Sequence, residues 1–102
     1  MNDWIEVGGT DDIDEDDLLR WDHDGRTFVI CNTQRGFFAL DGLCTHEEQH
    51  LEDGLVIGSV VECPLHQGRF DISTGRALGP PVCVDLKTYP VRVEGGRIFI
   101  RI

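Results

Sequence analysis

The chain has 102 residues, 40% of them hydrophobic, which is enough for one compact domain with a modest core and leaves no room for a second catalytic domain. Its formal net charge of −10 excludes nucleic acid and anionic membrane surfaces as partners, because each phosphate contact needs a cation. Its partners should therefore present neutral or basic faces.

The first residues, Met1 to Glu6, contain neither a basic segment nor a long apolar run. We therefore expect no signal peptide and no membrane anchor, and a cytoplasmic location. Four cysteines could form two disulfides in a secreted protein. In a reducing compartment metal ligation is the better interpretation.

The N-terminal half reads as short strands separated by turns rich in Gly and Asp, which predicts an all-β domain. Residues 4–7 should form a first strand, and the acidic residues 11–17 a solvated loop or helical turn outside the core. Three antiparallel strands follow. They are predicted at residues 18–23, 26–32 and 36–40, with Asp24-Gly25 as a type I′ turn between the first two.

The C-terminal residues predict a second hairpin. Residues 91–93 and 98–102 flank Gly95-Gly96, a dipeptide that favours a tight turn. Side chains alternate between the faces of a strand, so Ile98, Ile100 and Ile102 should share one face.

A further strand is predicted over residues 82–87. Its alternation would place Val82, Val84 and Leu86 on one face. The other face would carry Cys83, Asp85 and Lys87.

Between these two β regions lie two Cys/His pairs. Cys44-Thr45-His46 and Cys63-Pro64-Leu65-His66 are separated by sixteen residues, so the pairs belong to two different loops. Soft thiolates and neutral imidazoles are ligands that iron and zinc select. The spacing therefore predicts a metal site built from two loops.

This C-x-H and C-x-x-H pattern resembles the ligand pattern of Rieske iron–sulfur proteins, and residues 67–71, Gln-Gly-Arg-Phe-Asp, fit it as well. The similarity spans essentially the whole chain. It is greatest to the small ferredoxin components of bacterial aromatic-ring-hydroxylating dioxygenase systems.

The resemblance implies one [2Fe–2S] cluster. Cys44 and Cys63 would bind one iron, and His46 and His66 would bind the other through ring nitrogens. With both irons four-coordinate, no open position remains for substrate or oxygen. The implied activity is electron transfer. We therefore expect that the chain is not an enzyme and has no catalytic residues.

The resemblance also implies the fold. We expect an all-β Rieske iron–sulfur fold in a single domain spanning residues 1–102, with an antiparallel β-sandwich base formed by residues 1–42 and 82–102. A cluster-binding subdomain, about residues 43–81, would be inserted in that base. Gly79-Pro80-Pro81 would form a stiff loop covering the cluster.

The chain departs from the high-potential Rieske proteins of respiratory complexes. Gln49 and Leu65 stand where those proteins have disulfide-forming cysteines. Gly68 and Phe70 replace a Ser and a Tyr whose hydroxyls bond to the cluster sulfurs. With fewer donors to stabilise the reduced cluster, we expect a potential near about −150 mV.

The resemblance implies two protein partners for a monomeric carrier. An NAD(P)H-dependent reductase would supply single electrons, and a terminal Rieske dioxygenase would receive them. Both would dock near His46 and His66, on an uncharged surface that includes Leu65, Gln67 and Pro80.

Other interpretations remain. The chain could be a Rieske-like small subunit of a larger reductase, such as assimilatory nitrite reductase, or a zinc-stabilised interaction module. Cys31, in an apolar run, is expected to fill the core, and neither Cys83 nor His50 is assigned a ligand role. The acidic residues 11–17 could be a solvated face or a docking surface for basic partners.

Overall fold

The computed structural model describes residues 3–45, 49–64, 67–80 and 84–102. Within these ranges the chain forms short β-strands and two single-turn 3₁₀ helices, at Thr10–Asp12 and Leu51–Asp53, which confirms the all-β prediction. The strands are β1 (Ile5–Gly9), β2 (Asp17–His23), β3 (Arg26–Thr33), β4 (Gly36–Asp41), β5 (Leu55–Ile57), β6 (Val60–Glu62), β7 (Arg69–Asp71), β8 (Thr88–Tyr89), β9 (Val91–Glu94) and β10 (Arg97–Ile100).

The central sheet has the order β2-β3-β4-β8 and is antiparallel throughout. Its first hairpin turns at Asp24 and Gly25, whose φ angles are 49° and 75°. Positive φ at both turn residues is the requirement of a type I′ turn, so the predicted hairpin is confirmed.

A second antiparallel sheet has the order β1-β10-β9 and joins the two ends of the chain. Gly95 and Gly96 turn the β9–β10 hairpin with φ of 58° and 77°, as predicted. Ile98 and Ile100 are buried and Ile102 is half-buried, which confirms that the three share an inward face.

Strand β3 is buried on both faces and separates two hydrophobic cores. Phe28 and Ile30 contribute to the base core, which lies between the first two sheets. Val29 and Cys31 point the opposite way, into the loop core. The base core consists of Ile13, Phe28, Ile30, Ala39, Tyr89, Ile98 and Ile100, and the loop core of Val29, Cys31, Leu40, Cys44, Leu51, Val61, Cys63, Phe70, Ile72 and Leu86.

The third sheet, of order β5-β6-β7, closes the far side of the loop core. Val61 and Phe70 lie opposite each other on β6 and β7 and are fully buried in that core. All three strands come from the middle of the chain. The division into a base and an inserted subdomain of about residues 43–81 remains a proposal.

Two predictions were wrong in detail. Ile13, within the acidic stretch, is only 4% exposed and belongs to the base core, because the chain turns inward once after the Thr10–Asp12 helix. Residues 84–87 form no strand, and β8 begins only at Thr88. Val84 is exposed while Leu86 is buried.

The backbone of Val84 and Leu86 bonds to loops instead of to a neighbouring strand. The Leu86 amide donates to the carbonyl of Gly75, and the Val84 carbonyl accepts the hydroxyl of Thr45. Val82 and Cys83 of the predicted strand lie outside the described residues. Among the residues that are described, no helix is long and apolar enough to cross a membrane.

Candidate metal centre

Cys44 follows strand β4 by way of Gly42, which packs tightly on β3. A Cβ at Gly42 would lie 3.0 Å from the backbone nitrogen of Phe28, so only glycine fits without displacing that strand. The loop beyond is closed by two hydrogen bonds, from the Leu51 amide to the Gly42 carbonyl (2.8 Å) and from the Cys44 amide to the Gln49 carbonyl (2.9 Å). These contacts hold Cys44 in place with 5% exposure.

Cys63 comes directly after strand β6, at the start of the loop to β7. Its amide donates to the carbonyl of Gly68 at 2.6 Å, which closes the second loop. Gln67 has a φ of 56°, a left-handed conformation that reverses the chain before β7. Cys63 is 1% exposed.

The two loops thus deliver two buried sulfurs to one loop core. A thiolate in an apolar environment lacks solvation, and binding a metal ion compensates for this loss. The cysteine-ligated iron of a Rieske [2Fe–2S] cluster needs two sulfur donors. Here the two sulfurs come from loops that follow strands of two different sheets. The described residues therefore fit a [2Fe–2S] cluster.

The predicted imidazole ligands, His46 and His66, lie outside the described residues, as do Leu65 and Cys83. Within the described ranges, no group of three or more His, Cys, Asp or Glu side chains is arranged to hold a metal ion. The ligand set Cys44, His46, Cys63 and His66 therefore remains a prediction. The structure describes its two cysteines.

A third loop packs against the first. The hydroxyl of Thr45 donates to the Val84 carbonyl at 2.6 Å, and the Ala77 amide donates to the carboxylate of Asp85 at 2.8 Å. Pro80, which precedes this loop, is exposed. Pro81 lies outside the described residues, and the covering loop Gly79-Pro80-Pro81 remains a prediction.

Cys31 differs from the two loop cysteines. It lies in the middle of β3 with no exposed surface. Burial raises the pKa of its thiol to about 12, and the negative charge of Asp17 adds to the rise. A thiol that stays protonated is a packing residue, as the sequence predicted.

His50 lies in the first loop and pairs with Leu43 in an isolated β-bridge. Its Nδ1 is buried and has no hydrogen-bond partner among the described residues. The predicted motif has no ligand position for His50.

Sequence reasoning missed a polar network beside the first loop. The Tyr89 hydroxyl donates to Asp41 at 2.5 Å and accepts from Arg26 at 2.6 Å. The Asp41 amide also donates to the Lys87 carbonyl at 2.9 Å. The network ties the end of β4, which leads to Cys44, to the segment that returns from the loops. Its members are 48 and 63 positions apart, so no local pattern could reveal it.

A family model described as "Rieske [2Fe-2S] domain" matches residues 3–90. The ferredoxin component of the naphthalene 1,2-dioxygenase system of Pseudomonas putida is 43% identical over 97 residues, which are 95% of this chain and 93% of that protein. The ferredoxin component of the naphthalene 1,2-dioxygenase/salicylate 5-hydroxylase systems of Ralstonia sp. is 41% identical over 98 residues, 96% of this chain and 94% of that protein.

Solved structures give the same picture. A ferredoxin of Sphingomonas yanoikuyae B1 superposes with a TM-score of 0.91 at 31% identity, covering 98% of this chain and 99% of that one. A complex of reduced oxygenase and oxidized ferredoxin in carbazole 1,9a-dioxygenase contains a chain that matches with a TM-score of 0.91 at 28% identity, covering 96% of this chain and 92% of that one.

A putative NADH-dependent nitrite reductase small subunit from Mycobacterium tuberculosis also matches, with a TM-score of 0.86 at 20% identity, over 100% of this chain and 96% of that one. Identity this low shows a shared fold only. It gives no support to the reading of this chain as a reductase subunit.

Proposed function

The chain belongs to the family of Rieske [2Fe–2S] domain proteins, and we propose that it carries single electrons from an NAD(P)H-dependent reductase to a terminal aromatic-ring-hydroxylating dioxygenase. It binds one [2Fe–2S] cluster and is an electron-transfer protein. The observation that carries the proposal is 41–43% identity, over nearly the full length of both chains, to ferredoxin components of dioxygenase systems.

For the ligands, the proposal is that Cys44 and Cys63 bind one iron and His46 and His66 the other. The support is the C-x-H and C-x-x-H spacing together with the burial of both cysteines in the loop core. When bound, the cluster supplies a site that accepts and releases one electron at a time.

The chain's own residues hold the cysteine side of this site away from water. Leu51, Val61 and Phe70 pack in the same core as the two sulfurs and have no exposed surface. A low-dielectric, rigid surrounding reduces the reorganisation that accompanies a change of charge. The loop core therefore suits transfer of an electron and not binding of a substrate.

For docking, the proposal is a surface around His46 and His66 that both partners use in turn. Its support among the described residues is a group of exposed, uncharged neighbours, Pro64, Gln67 and Pro80. Surfaces of this kind suit the small, short-lived contacts of electron-transfer partners. A monomeric, cytoplasmic protein is part of the same proposal.

Reconstitution tests the proposed function. The purified holoprotein is mixed with NADH, the reductase of a naphthalene, biphenyl or p-cumate dioxygenase system, and each of the three terminal oxygenases. We expect oxygenase turnover that depends on this chain with at least one oxygenase, and none when Cys63→Ser replaces it. Failure with all three, using holoprotein that dithionite reduces, would contradict the proposed role.

A further inference from the structure

The third sheet has a dry inner side. The bridge between Phe70 and Ala77 adds the segment after β7 as a fourth, short partner of the sheet. In an antiparallel sheet, side chains of paired residues point to the same side. Val56, Val61, Phe70 and Ala77 form one such row, and all four pack in or against the loop core.

The other side of the sheet, here termed the outward face, carries two rows. The pairing places Leu55, Glu62, Arg69 and Leu78 in one row and Ile57, Val60, Asp71 and Arg76 in the other. Sheets with one solvated side normally place polar residues there. On this face Leu55 is 61% exposed, Ile57 52% and Leu78 45%.

These three residues are most of the large hydrophobic side chains that the described part of the chain exposes. Val84 and Val93 are the others. Single exposed hydrophobics need no explanation, but several on one face of a small domain mark an interaction surface.

The charges of the outward face are arranged for contact with a protein. Glu62 and Arg69 lie side by side in the first row with an N–O distance of 3.5 Å, so the middle of the face carries little net charge. Asp53, at its edge beside Leu55, is an exposed carboxylate, whereas the carboxylate of Glu52 pairs with Arg20 at 2.6 Å. Exposed apolar side chains on both sides of a charge-neutral Glu62–Arg69 pair, with an acidic residue at the edge, fit a partner that offers apolar side chains and a basic group at the matching edge.

The outward face continues into the metal centre. Glu62 directly precedes Cys63, and Leu78 directly precedes Gly79-Pro80, so the first row lies at the end of the sheet that carries the site loops. A groove of about 340 Å³ runs from Leu55 past Glu62 to Cys63, Pro64 and Gln67. A partner seated on the face would also contact the loop that holds Cys63.

We propose that the outward face docks the terminal oxygenase, which meets Leu55, Ile57 and Leu78 with apolar side chains and Asp53 with a basic residue. This inference rests on the proposed function. A second copy of the chain fits poorly, because two molecules that each carry a net charge of −10 repel each other. A related chain is solved in complex with an oxygenase, which favours the oxygenase over the reductase as the occupant.

The test is a double variant, Leu55→Thr with Ile57→Thr, and a separate Leu78→Ser. All three side chains are exposed, and threonine is well tolerated in strands, so the fold should be unaffected. The matched control is Val93→Thr, an exposed hydrophobic residue (47%) on β9 of a different sheet. Each reduced protein is mixed with the oxygenase that the wild type serves best in the reconstitution.

Two quantities are measured. One is the ferredoxin concentration that gives half the maximal rate of ferredoxin reoxidation by the oxygenase. The other is the dissociation constant of the complex between the oxidised proteins, measured by calorimetry. We expect both to rise about tenfold in the double variant, because apolar area that would leave water on docking is removed. Leu78→Ser should change them about threefold, and Val93→Thr less than twofold. The reduction potential and the EPR spectrum should be the same in all four proteins.

If the half-maximal concentration and the dissociation constant are unchanged in the double variant, the docking proposal is overturned. The proposed function still stands in that case, because it depends on turnover with the wild type. Weaker binding to the reductase alone would overturn the assignment to the oxygenase. A wild-type dimer in sedimentation that the double variant dissociates would identify a second copy as the occupant. A wild type that serves no oxygenase would overturn both proposals together.

Discussion

Among the described residues, three cysteine side chains share the loop core, and we expect only the two on loops to bind iron. Cys63→Ser should lose or destabilise the cluster, because a serine hydroxyl is a poor replacement for a thiolate on iron. The measurement is the iron and sulfide content of the purified protein together with its visible absorption.

Cys31→Ala is the control for that substitution. It removes a buried sulfur from the same core, and should cost about 1 kcal/mol of unfolding free energy by leaving a small cavity. Its visible and EPR spectra should match those of the wild type. Loss of iron from Cys31→Ala as great as from Cys63→Ser would contradict the distinction between strand and loop cysteines.

At the same scale, His66→Cys tests the predicted imidazole ligation. If the cluster assembles, a thiolate in place of a neutral imidazole adds negative charge and should lower the reduction potential from the expected value of about −150 mV. Protein-film voltammetry measures the change. A potential that stays the same or rises would show that His66 is not a ligand.

Among the structural elements, the Arg26–Asp41–Tyr89 network joins β3, β4 and β8 beside the first loop. Burial, aided by the Asp41 carboxylate, raises the pKa of Tyr89 to about 12 from its ordinary value of 10.0. The folded state therefore holds the phenolic proton more tightly than the unfolded state. Its contribution to stability is complete below pH 10 and is lost as the pH rises through 12.

Tyr89 is the only tyrosine, so tyrosinate absorbance reports on it alone. We expect a midpoint near pH 12 in the native protein and near 10 in urea. Tyr89→Phe should cost about 1 kcal/mol at neutral pH and remove the alkaline loss of stability. A native midpoint near 10 would contradict the buried network.

The accuracy of the sequence-based predictions varies among the elements for physical reasons. Asp24-Gly25 and Gly95-Gly96 identified their hairpins because their residue types satisfy the positive φ of the turn. The strand predicted over residues 82–87 is absent from residues 84–87, where the Leu86 amide bonds to the Gly75 carbonyl of a loop. A period-two pattern cannot distinguish a strand from a loop that is anchored by tertiary contacts. The β5–β6 hairpin was not predicted, although Gly58-Ser59 between two apolar runs was a usable signal.

The two cysteines of the candidate site were more accessible to sequence reasoning than their surroundings. Cys44 and Cys63 stand in short motifs with characteristic spacing, and both are buried in one core as that pattern requires. The outward face depends on the register between β5, β6 and β7, which only the three-dimensional structure gives. Ile13 shows the same limit, since one apolar side chain among acidic neighbours gives no periodic signal.

For the whole molecule, the net charge of −10 governs how partners are met. Long-range attraction to basic partner surfaces speeds encounter and is screened by salt. We expect the second-order rate of reoxidation by the oxygenase to fall about tenfold between roughly 20 mM and 200 mM NaCl in stopped-flow measurements. A rate independent of salt would indicate that the acidic residues 11–17 and Asp53 are only a solvated surface.

The most direct test of the account is pulsed EPR spectroscopy of the dithionite-reduced protein. Ligation by two cysteines and two histidines predicts a lower average g value than all-cysteine [2Fe–2S] clusters give, with hyperfine couplings to two ring nitrogens. A colourless protein that contains zinc, or a reduced spectrum without nitrogen couplings, would contradict ligation by Cys44, His46, Cys63 and His66.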